Sequence, residues 1–119
     1  MASNPEWHIE FYTDHRKHTP VLEYLNGLPQ KDQAKIRNHL RLLRQFGNQL
    51  GPPQAKKLRG KGLTLWELRP MPTRIFYFFH TGRRIILLHA FAKKKDRTDE
   101  NEIQIALNRL KVFLEREDE

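Results

Sequence analysis

The sequence predicts an α+β domain in which helices pack on a mostly antiparallel, four-stranded sheet. Residues 63–92 contain three runs of aromatic and β-branched side chains separated by short Pro- or Gly-containing turns, as in a three-strand antiparallel meander. One alternating segment and two helical segments precede the meander, and one helical segment follows it. The 119 residues have the size of one domain, which we expect to span 1–119.

The first strand is predicted at residues 7–12, where large apolar side chains alternate with polar ones. This alternation is typical of a half-buried strand, and we expect it to pair at one side of the sheet. A short helix follows, with Thr19 as its N-cap and Pro20 at its first position, where a missing N–H costs nothing. The helix ends near Gly27, and residues 1–6 are expected to form a loose tail.

The second helix is predicted over about 30–46, because apolar side chains recur there at helical spacing and basic ones surround them. Gly47 is placed to terminate this helix. The two helices therefore form a hairpin that can cover one face of the sheet. Residues 48–54 form a linker that is too short to separate two domains.

The three meander strands are predicted at 63–69, 74–80 and 84–92, with turns at 70–72 and 81–82. The order of elements is then β-α-α-β-β-β-α. It begins with the N-terminal strand and the helical hairpin, continues through the meander and closes with a C-terminal helix.

The last helix follows a polar stretch after the meander. Thr98 or Asp99 is predicted as its N-cap, and the acidic side chains that follow suit its positive N-terminal end. Residues 115–119 form an acidic tail that we expect to be frayed. The apolar stripe of this helix consists of Ile103, Leu107, Leu110 and Leu114.

Positive charge concentrates around the meander. The formal net charge is +8 and the pI is near 10.0, and residues 56–95 hold eleven of the 22 Lys and Arg with Glu67 as their only acid. An apolar sheet with this charge predicts a surface for nucleic acid, the ribosome or an acidic protein. The alternative is a soluble basic domain with no nucleic-acid role.

Several other functional classes lack their sequence signatures. The chain has no cysteine, which excludes disulfides, thiolate catalysis and cysteine zinc sites and fits a cytoplasmic location. We recognise no signal peptide, and no apolar run approaches the roughly 20 residues of a membrane span. His15 and His18 have no carboxylate–histidine cluster around them, and Gly-rich phosphate loops are missing. We therefore expect neither a metal nor an organic cofactor.

Four stretches carry a resemblance to a known family. They are Leu-Trp-Glu-Leu-Arg at 65–69, Arg-Ile-Phe-Tyr-Phe at 74–78, Leu-Leu-His-Ala-Phe-Ala-Lys-Lys at 87–94, and Glu102-Ile103 with Ala106 and Arg109. The chain resembles toxins of the bacterial RelE/ParE superfamily, and more narrowly the phage Gp49-like branch that includes HigB-type toxins. The helical hairpin matches in position, and the resemblance covers about residues 7–114.

The resemblance implies a type II toxin that is neutralised by a helix-turn-helix, HigA-like antitoxin. Many relatives cut messenger RNA in the ribosomal decoding site, whereas ParE-like relatives poison DNA gyrase; a non-cleaving RNA-binding module is a third interpretation. The implied fold is a RelE-like, barrel-like microbial ribonuclease sheet with helices on one side. Two positions depart from the RelE pattern, since Ile103 stands where those toxins have a catalytic Tyr and Glu67 where some have Lys.

Arg69 and Arg74 are the first candidates for catalysis. Metal-independent RNA cleavage needs a base for the 2′-OH proton, an acid for the leaving 5′-oxygen and cations that stabilise the phosphorane. Arginine suits the last role because its planar guanidinium binds phosphate oxygens bidentately. If the 70–72 turn brings these two arginines together, they form a phosphate cradle. In the alternative interpretation they cap the strand edge and pair with Glu67.

Lys93, Lys94 and His89 are the candidates for proton transfer. The lysines end the third meander strand, where crowding by like charges favours a general-acid role. With Lys95 they are equally typical of a solvated charge run. His89 has the strand parity of Leu87, which favours a hydrogen-bonded residue at the edge of the core over a base.

Five side chains complete the predicted RNA-binding surface. Tyr77 is the aromatic side chain selected for base stacking, although aromatics in a central hairpin more often pack in the core. Lys57, ahead of the sheet, contacts the RNA backbone or is solvated. His80 lies at a turn and is either a contact or simply exposed. Glu67 and Lys95 are included because they neighbour the cationic candidates.

Overall fold

The structure is a computed structural model that describes residues 6–58, 64–94 and 100–118. Its elements follow the predicted order with one additional strand. A single 3₁₀ turn, Gly47–Gln49, follows the second helix. The strands and helices are β1 His8–Phe11, α1 Pro20–Asn26, α2 Gln30–Phe46, β2 Ala55–Leu58, β3 Leu65–Leu68, β4 Thr73–His80, β5 Arg84–Ala92 and α3 Glu100–Glu117.

One mixed sheet of five strands runs through the described residues, in the order β1-β5-β4-β3-β2. The pairs β5–β4, β4–β3 and β3–β2 are antiparallel, whereas β1 lies parallel to β5 at the edge. The predicted α+β class is therefore confirmed. The predicted four strands are one too few, and the N-terminal strand makes the sheet mixed.

The strand that the sequence did not predict is β2. Its sequence is Ala-Lys-Lys-Leu, so its centre carries two exposed lysines and no alternating apolar pattern. Lysines are common on edge strands because their charge discourages pairing with another chain. Lys57 pairs in register with Trp66 of β3, so it belongs to the sheet and does not precede it.

Helices cover both faces of the sheet, which corrects the expectation of helices on one side. The helical hairpin packs on one face, here named the hairpin face, and α3 packs on the other, the α3 face. The buried core of the hairpin face consists of Val21, Leu25, Ile36, Leu43, Leu50, Ala55, Leu68, Ile75, Tyr77, Ile85, Leu87 and Ala90. The buried core of the α3 face consists of Tyr12, Leu65, Phe76, Phe78, Ile86, Leu88, Phe91, Ala106 and Leu110.

A β-bulge interrupts the pairing of β4 with β5. Phe76 pairs with His89, but the next residue, Tyr77, pairs with Leu87, so Leu88 is the extra residue of β5. Leu88 packs in the core of the α3 face, and His89 bonds to α3 from the same side. The predicted parity of His89 with Leu87 is therefore wrong, because the bulge turns two consecutive side chains to one face.

Gly47 terminates α2 and also makes room for the chain that enters β1. Its φ is +54°, in the left-handed region that favours glycine. A Cβ atom at this position would overlap the indole ring of Trp7. The Trp7 backbone N–H donates to the Arg44 carbonyl oxygen at 2.9 Å, so the end of α2 and the start of β1 are held together.

The C-terminal helix reaches Glu117, which is further than the sequence predicted for a frayed tail at 115–119. Arg84 of β5 accounts for the difference. Its Nη1 lies 2.7 Å from Glu117 Oε1 and its Nε lies 2.6 Å from Glu10 Oε2 of β1. The last turn of α3 is thus tied to two strands. The predicted caps Thr98 and Asp99 lie outside the described residues.

Candidate functional site

Charged side chains meet on the α3 face, at the end of the sheet where β3 leads into β4. Glu67 pairs in register with Phe76, and Arg74 pairs with Phe91, and both phenylalanines belong to the core of the α3 face. The Thr73 N–H donates to the Pro70 carbonyl oxygen at 3.0 Å and closes the connecting turn. This turn brings the strand ends together, as an antiparallel hairpin requires.

Glu67 lies between the two arginines of the predicted cradle. Its Oε1 is 3.2 Å from Arg69 Nε and 3.7 Å from Arg74 Nε. The structure therefore brings Arg69 and Arg74 together, and it also contains the pairing with Glu67 that was the alternative interpretation. Two guanidinium groups share one carboxylate, so the cluster keeps one excess positive charge.

Burial makes this charge cluster unusual. The side chain of Arg74 is 4% exposed, that of Glu67 10% and that of Arg69 33%. Within the described residues, neither Arg Nε has a hydrogen-bond partner, because the carboxylate oxygen is too far from Arg74 Nε and is not in line with the N–H of Arg69 Nε. A buried donor without an acceptor is costly, and a charged one more so. The cluster is therefore arranged to take an additional anionic oxygen.

The far end of the Arg74 guanidinium has weak acceptors. Its Nη1 lies 2.7 Å from Met71 Sδ and 3.5 Å from its neighbour's carbonyl oxygen, that of Thr73. A thioether sulfur is a weak acceptor, and Met71 is exposed. An oxyanion in the place of this sulfur would give Arg74 a charge-assisted hydrogen bond.

His89 lies next to this cluster and is held by α3. Its Nε2 is 2.6 Å from Glu102 Oε1, and its Nδ1 is 3.2 Å from Arg109 Nη1. Arginine only donates, so Nδ1 accepts and the ring proton is on Nε2, where it is donated to Glu102. Both ring nitrogens are thus engaged, which matches the predicted hydrogen-bonded residue at the core edge rather than an open base.

Burial sets the charge of His89. It lowers the pKa of the imidazole, and this effect outweighs the opposing hydrogen bond and charge of Glu102, while Arg109 lowers the pKa further. Arg109 is itself partly buried, which lowers its pKa, and it also donates to the Leu88 carbonyl oxygen at 2.9 Å. The His89 imidazole is therefore neutral at neutral pH and rigidly oriented.

His89 and Arg74 are diagonal neighbours on one face of two paired strands, because Arg74 pairs with Phe91 and Phe76 pairs with His89. Diagonal pairs of this kind are typically about 7–8 Å apart. The His89 ring also stacks on Phe91, with centroids 5.6 Å apart. The guanidinium cluster and the histidine thus belong to one continuous surface.

Lys93 extends the ladder of β5 past its end, since its N–H donates to the Pro72 carbonyl oxygen at 3.0 Å. Lys93 and Lys94 therefore follow directly from the strand that carries His89, beside the turn that joins the strands of Arg69 and Arg74, and both stay candidates for proton transfer. Lys95 lies outside the described residues.

The structure separates the remaining predicted RNA contacts from the cluster. Tyr77 is fully buried on the hairpin face, where burial raises its pKa, so the prediction that it stacks on a base is wrong. Lys57 is exposed with its Nζ 5.8 Å from the centroid of the Trp66 ring, also on the hairpin face. His80 packs against Phe113 at the other end of β4, roughly 20 Å along the strand from Arg74.

Glu102 and Arg109 are site residues to which the sequence analysis gave no role. They lie seven positions apart on α3, which places them on one side of the helix. This spacing is a usable signal once a histidine is known to face the helix. It is invisible without the strand register, because the bulge decides where His89 points.

The described residues contain no group of three or more His, Asp or Glu side chains that could hold a metal ion. None of the helices in the described part of the chain is long and apolar enough to cross a membrane.

A family model described as phage-derived protein Gp49-like (DUF891) matches residues 23–111. The matched segment runs from α1 into α3 and includes the whole charged cluster on the α3 face. A search of curated proteins finds no match.

Proposed function

The chain belongs to the Gp49-like phage-derived protein family, part of the RelE/HigB-type toxin group, and we propose that it is an endoribonuclease that cuts ribosome-bound messenger RNA. Membership of this group makes it the toxin of a toxin–antitoxin pair and implies an antitoxin partner. The cleavage, the ribosomal substrate and a HigA-like helix-turn-helix antitoxin are our proposals.

The observation that carries the proposal is the pair of guanidinium groups around Glu67. Arg74 is buried, has only weak hydrogen-bond acceptors among the described residues and is accompanied by Arg69, so the cluster attracts a phosphate group. Negative charge grows on the phosphate oxygens as the phosphorane forms. Cations held in a water-poor site stabilise that charge more than they would in water.

Besides these cations, the reaction needs a proton acceptor for the 2′-OH and a proton donor for the leaving 5′-oxygen. Attack by the 2′-oxygen forms a bond to phosphorus while the bond to the 5′-oxygen breaks. The 2′-OH gives its proton to solvent water and the departing oxygen receives one from an acid of the site, so no proton is consumed overall. Lys93, whose backbone N–H bonds to Pro72 in the turn between the two arginines, is our candidate for the donor to the leaving oxygen. We assign His89 no proton transfer, because both of its ring nitrogens already form hydrogen bonds with residues of α3.

Mapping the 5′ ends of cellular transcripts after expression tests the proposal. We expect new ends within translated codons, in frame with the start codon. Arg69→Ala should reduce cleavage about 10²–10³-fold, as loss of one group that stabilises transition-state charge does. Arg74→Lys, which keeps a charge in the buried position, should lose the bidentate contact and cut poorly.

Arg37→Ala is the matched control, because Arg37 is an exposed arginine of α2 away from the α3 face. This variant should cut normally, and all three variants should still bind the antitoxin. Unchanged cleavage by both site variants would refute the proposal. DNA breaks with intact transcripts would favour a gyrase inhibitor. Ribosome binding without cut transcripts and without DNA breaks would favour a non-cleaving module.

A further inference from the structure

We infer that Glu67 is a positioning residue: its carboxylate aligns Arg69 and Arg74 and occupies the place of the phosphate while no RNA is bound. The inference deepens the proposed function and rests on it. It concerns the acidic residue between the arginines, which removes positive charge from a surface otherwise suited to RNA.

Glu67 is held more firmly than Arg69. It lies in β3, where its backbone is in register with Lys56 of β2 on one side and Phe76 of β4 on the other. Arg69 lies beyond the end of β3 and is a third exposed. A side chain on a central strand is a rigid anchor for one on a loop, so the carboxylate determines where the Arg69 guanidinium points, beside the buried guanidinium of Arg74.

The contacts of Glu67 leave the arginines open to a ligand. A single oxygen, Oε1, approaches both Nε atoms, at 3.2 Å for Arg69 and 3.7 Å for Arg74. At the far end of its guanidinium group, Arg74 Nη1 lies 2.7 Å from Met71 Sδ, a poor acceptor on an exposed side chain that a second anion can replace.

The charge of Glu67 and its position between the arginines have opposite effects on the proposed reaction. A carboxylate next to the cradle repels the phosphate and competes for the same donors, so it weakens binding of RNA. The same carboxylate keeps both guanidinium groups in the orientation that the transition state needs. Binding and rate should therefore respond in opposite ways when the charge is removed and the shape is kept.

Glu67→Gln separates the two effects, because glutamine keeps an oxygen at the same distance from the backbone without the charge. We expect RNA to bind roughly tenfold more tightly, since a repulsion between close charges is removed. We expect kcat to fall by a similar factor as the arginines lose their anchor, and KM to fall with it. If Glu67 only stabilised the fold, the folded Glu67→Gln variant would keep the wild-type kcat and KM.

The experiment uses the full chain, purified ribosomes and a messenger RNA that contains a mapped cut site. Binding is measured with a 2′-O-methyl group at the scissile nucleotide, and cleavage with the unmodified RNA. Glu115→Gln is the matched control, since it removes one negative charge from an exposed position of α3. The double variant Glu67→Gln with Arg69→Ala should lose the gain in affinity, because the gain depends on the guanidinium.

Glu67→Asp is the second variant in case the glutamine variant folds poorly. It keeps the charge and withdraws the carboxylate by one methylene, so kcat should fall without any gain in affinity. The inference is overturned if Glu67→Gln or Glu67→Asp has the wild-type kcat and affinity, or if the double variant keeps the gain. If the wild-type protein binds the RNA but never cuts it, the proposed nuclease activity is refuted. The positioning role of Glu67 would still be supported if Glu67→Gln binds the RNA more tightly and this gain depends on Arg69.

Discussion

At the scale of one residue, His89 illustrates how contacts determine protonation. The imidazole lies between a carboxylate and a guanidinium, both on α3, and stacks on Phe91 from its own strand. The carboxylate favours the charged imidazole, and burial and the guanidinium disfavour it. Because burial has the largest effect, the pKa of His89 lies below its ordinary value of 6.5.

This lowered pKa makes stability depend on pH. As the pH falls below about 6.5, the unfolded chain takes up a proton at this histidine before the folded protein does. The contribution of His89 to stability is therefore complete above that pH and decreases as the pH falls through the folded-state pKa. We expect Tm to decline across this range in the wild type and less steeply in His89→Gln.

Thermal unfolding followed across mildly acidic pH measures this difference. The carboxylates Glu10 and Glu117, which pair with Arg84, do not change the slope of Tm in this pH range. Arg84 holds the pKa of each below the ordinary value of 4.5, so their contribution is lost only at more acidic pH. Equal slopes for wild type and His89→Gln would contradict the assignment of the buried neutral imidazole.

At the scale of helices and strands, the junction of α2 with β1 requires a glycine at position 47. Gly47→Ala should destabilise the protein, because the added methyl group meets the Trp7 indole and the backbone φ of +54° is unfavourable for alanine. We expect a loss of about 1–3 kcal/mol, the usual cost of forced overpacking.

Gly51→Ala is the control for this substitution, because a Cβ atom there would have open space around it. Urea or thermal unfolding of the two variants should give a large loss for Gly47→Ala and almost none for Gly51→Ala. Similar losses in both would mean that the indole contact at Gly47 is not the cause.

The elements also mark the limit of what the sequence could predict. Strong patterns, such as the apolar stripe of α2 and the aromatic runs of the meander, predicted their elements well. The edge strand β2 was missed because its two lysines carry no apolar alternation, and only its partner β3 defines it. Helices on both faces were missed because each apolar stripe is compatible with either face.

The candidate site was predictable to the same extent. The meeting of Arg69 and Arg74 follows from the hairpin turn between their strands, which the Pro-rich spacing indicated. Tyr77 was misassigned because its side chain lies under the helical hairpin, on the face that cannot reach RNA. Glu102 and Arg109 went without a role because their contacts with His89 depend on a bulge that has no sequence signature.

At the scale of the whole molecule, charge governs encounters with partners. The net charge is +8, and exposed arginines of α2 add positive charge on the hairpin side of the sheet, opposite the cluster on the α3 face. A partner that neutralises this charge is expected to carry acidic side chains, and opposite charges accelerate association.

We therefore expect the complex with the antitoxin to form more slowly and to weaken as the salt concentration rises. Surface-plasmon resonance or stopped-flow measurements at low and high salt test this, and the association rate should change more than the dissociation rate. Rates that are independent of salt would indicate an apolar contact in place of a charge-driven one.

The extra residue at Leu88 also determines where β5 can change in length. Loss of Leu88 would restore a regular ladder and keep both faces, because Leu87 would still pair with Tyr77 and His89 with Phe76. The core of the α3 face would lose one leucine side chain, and β5 would lose the local bend and twist that a bulge gives. In a regular strand a single deletion turns one half over, so β5 should accept the loss of a residue at the bulge better than such a strand would.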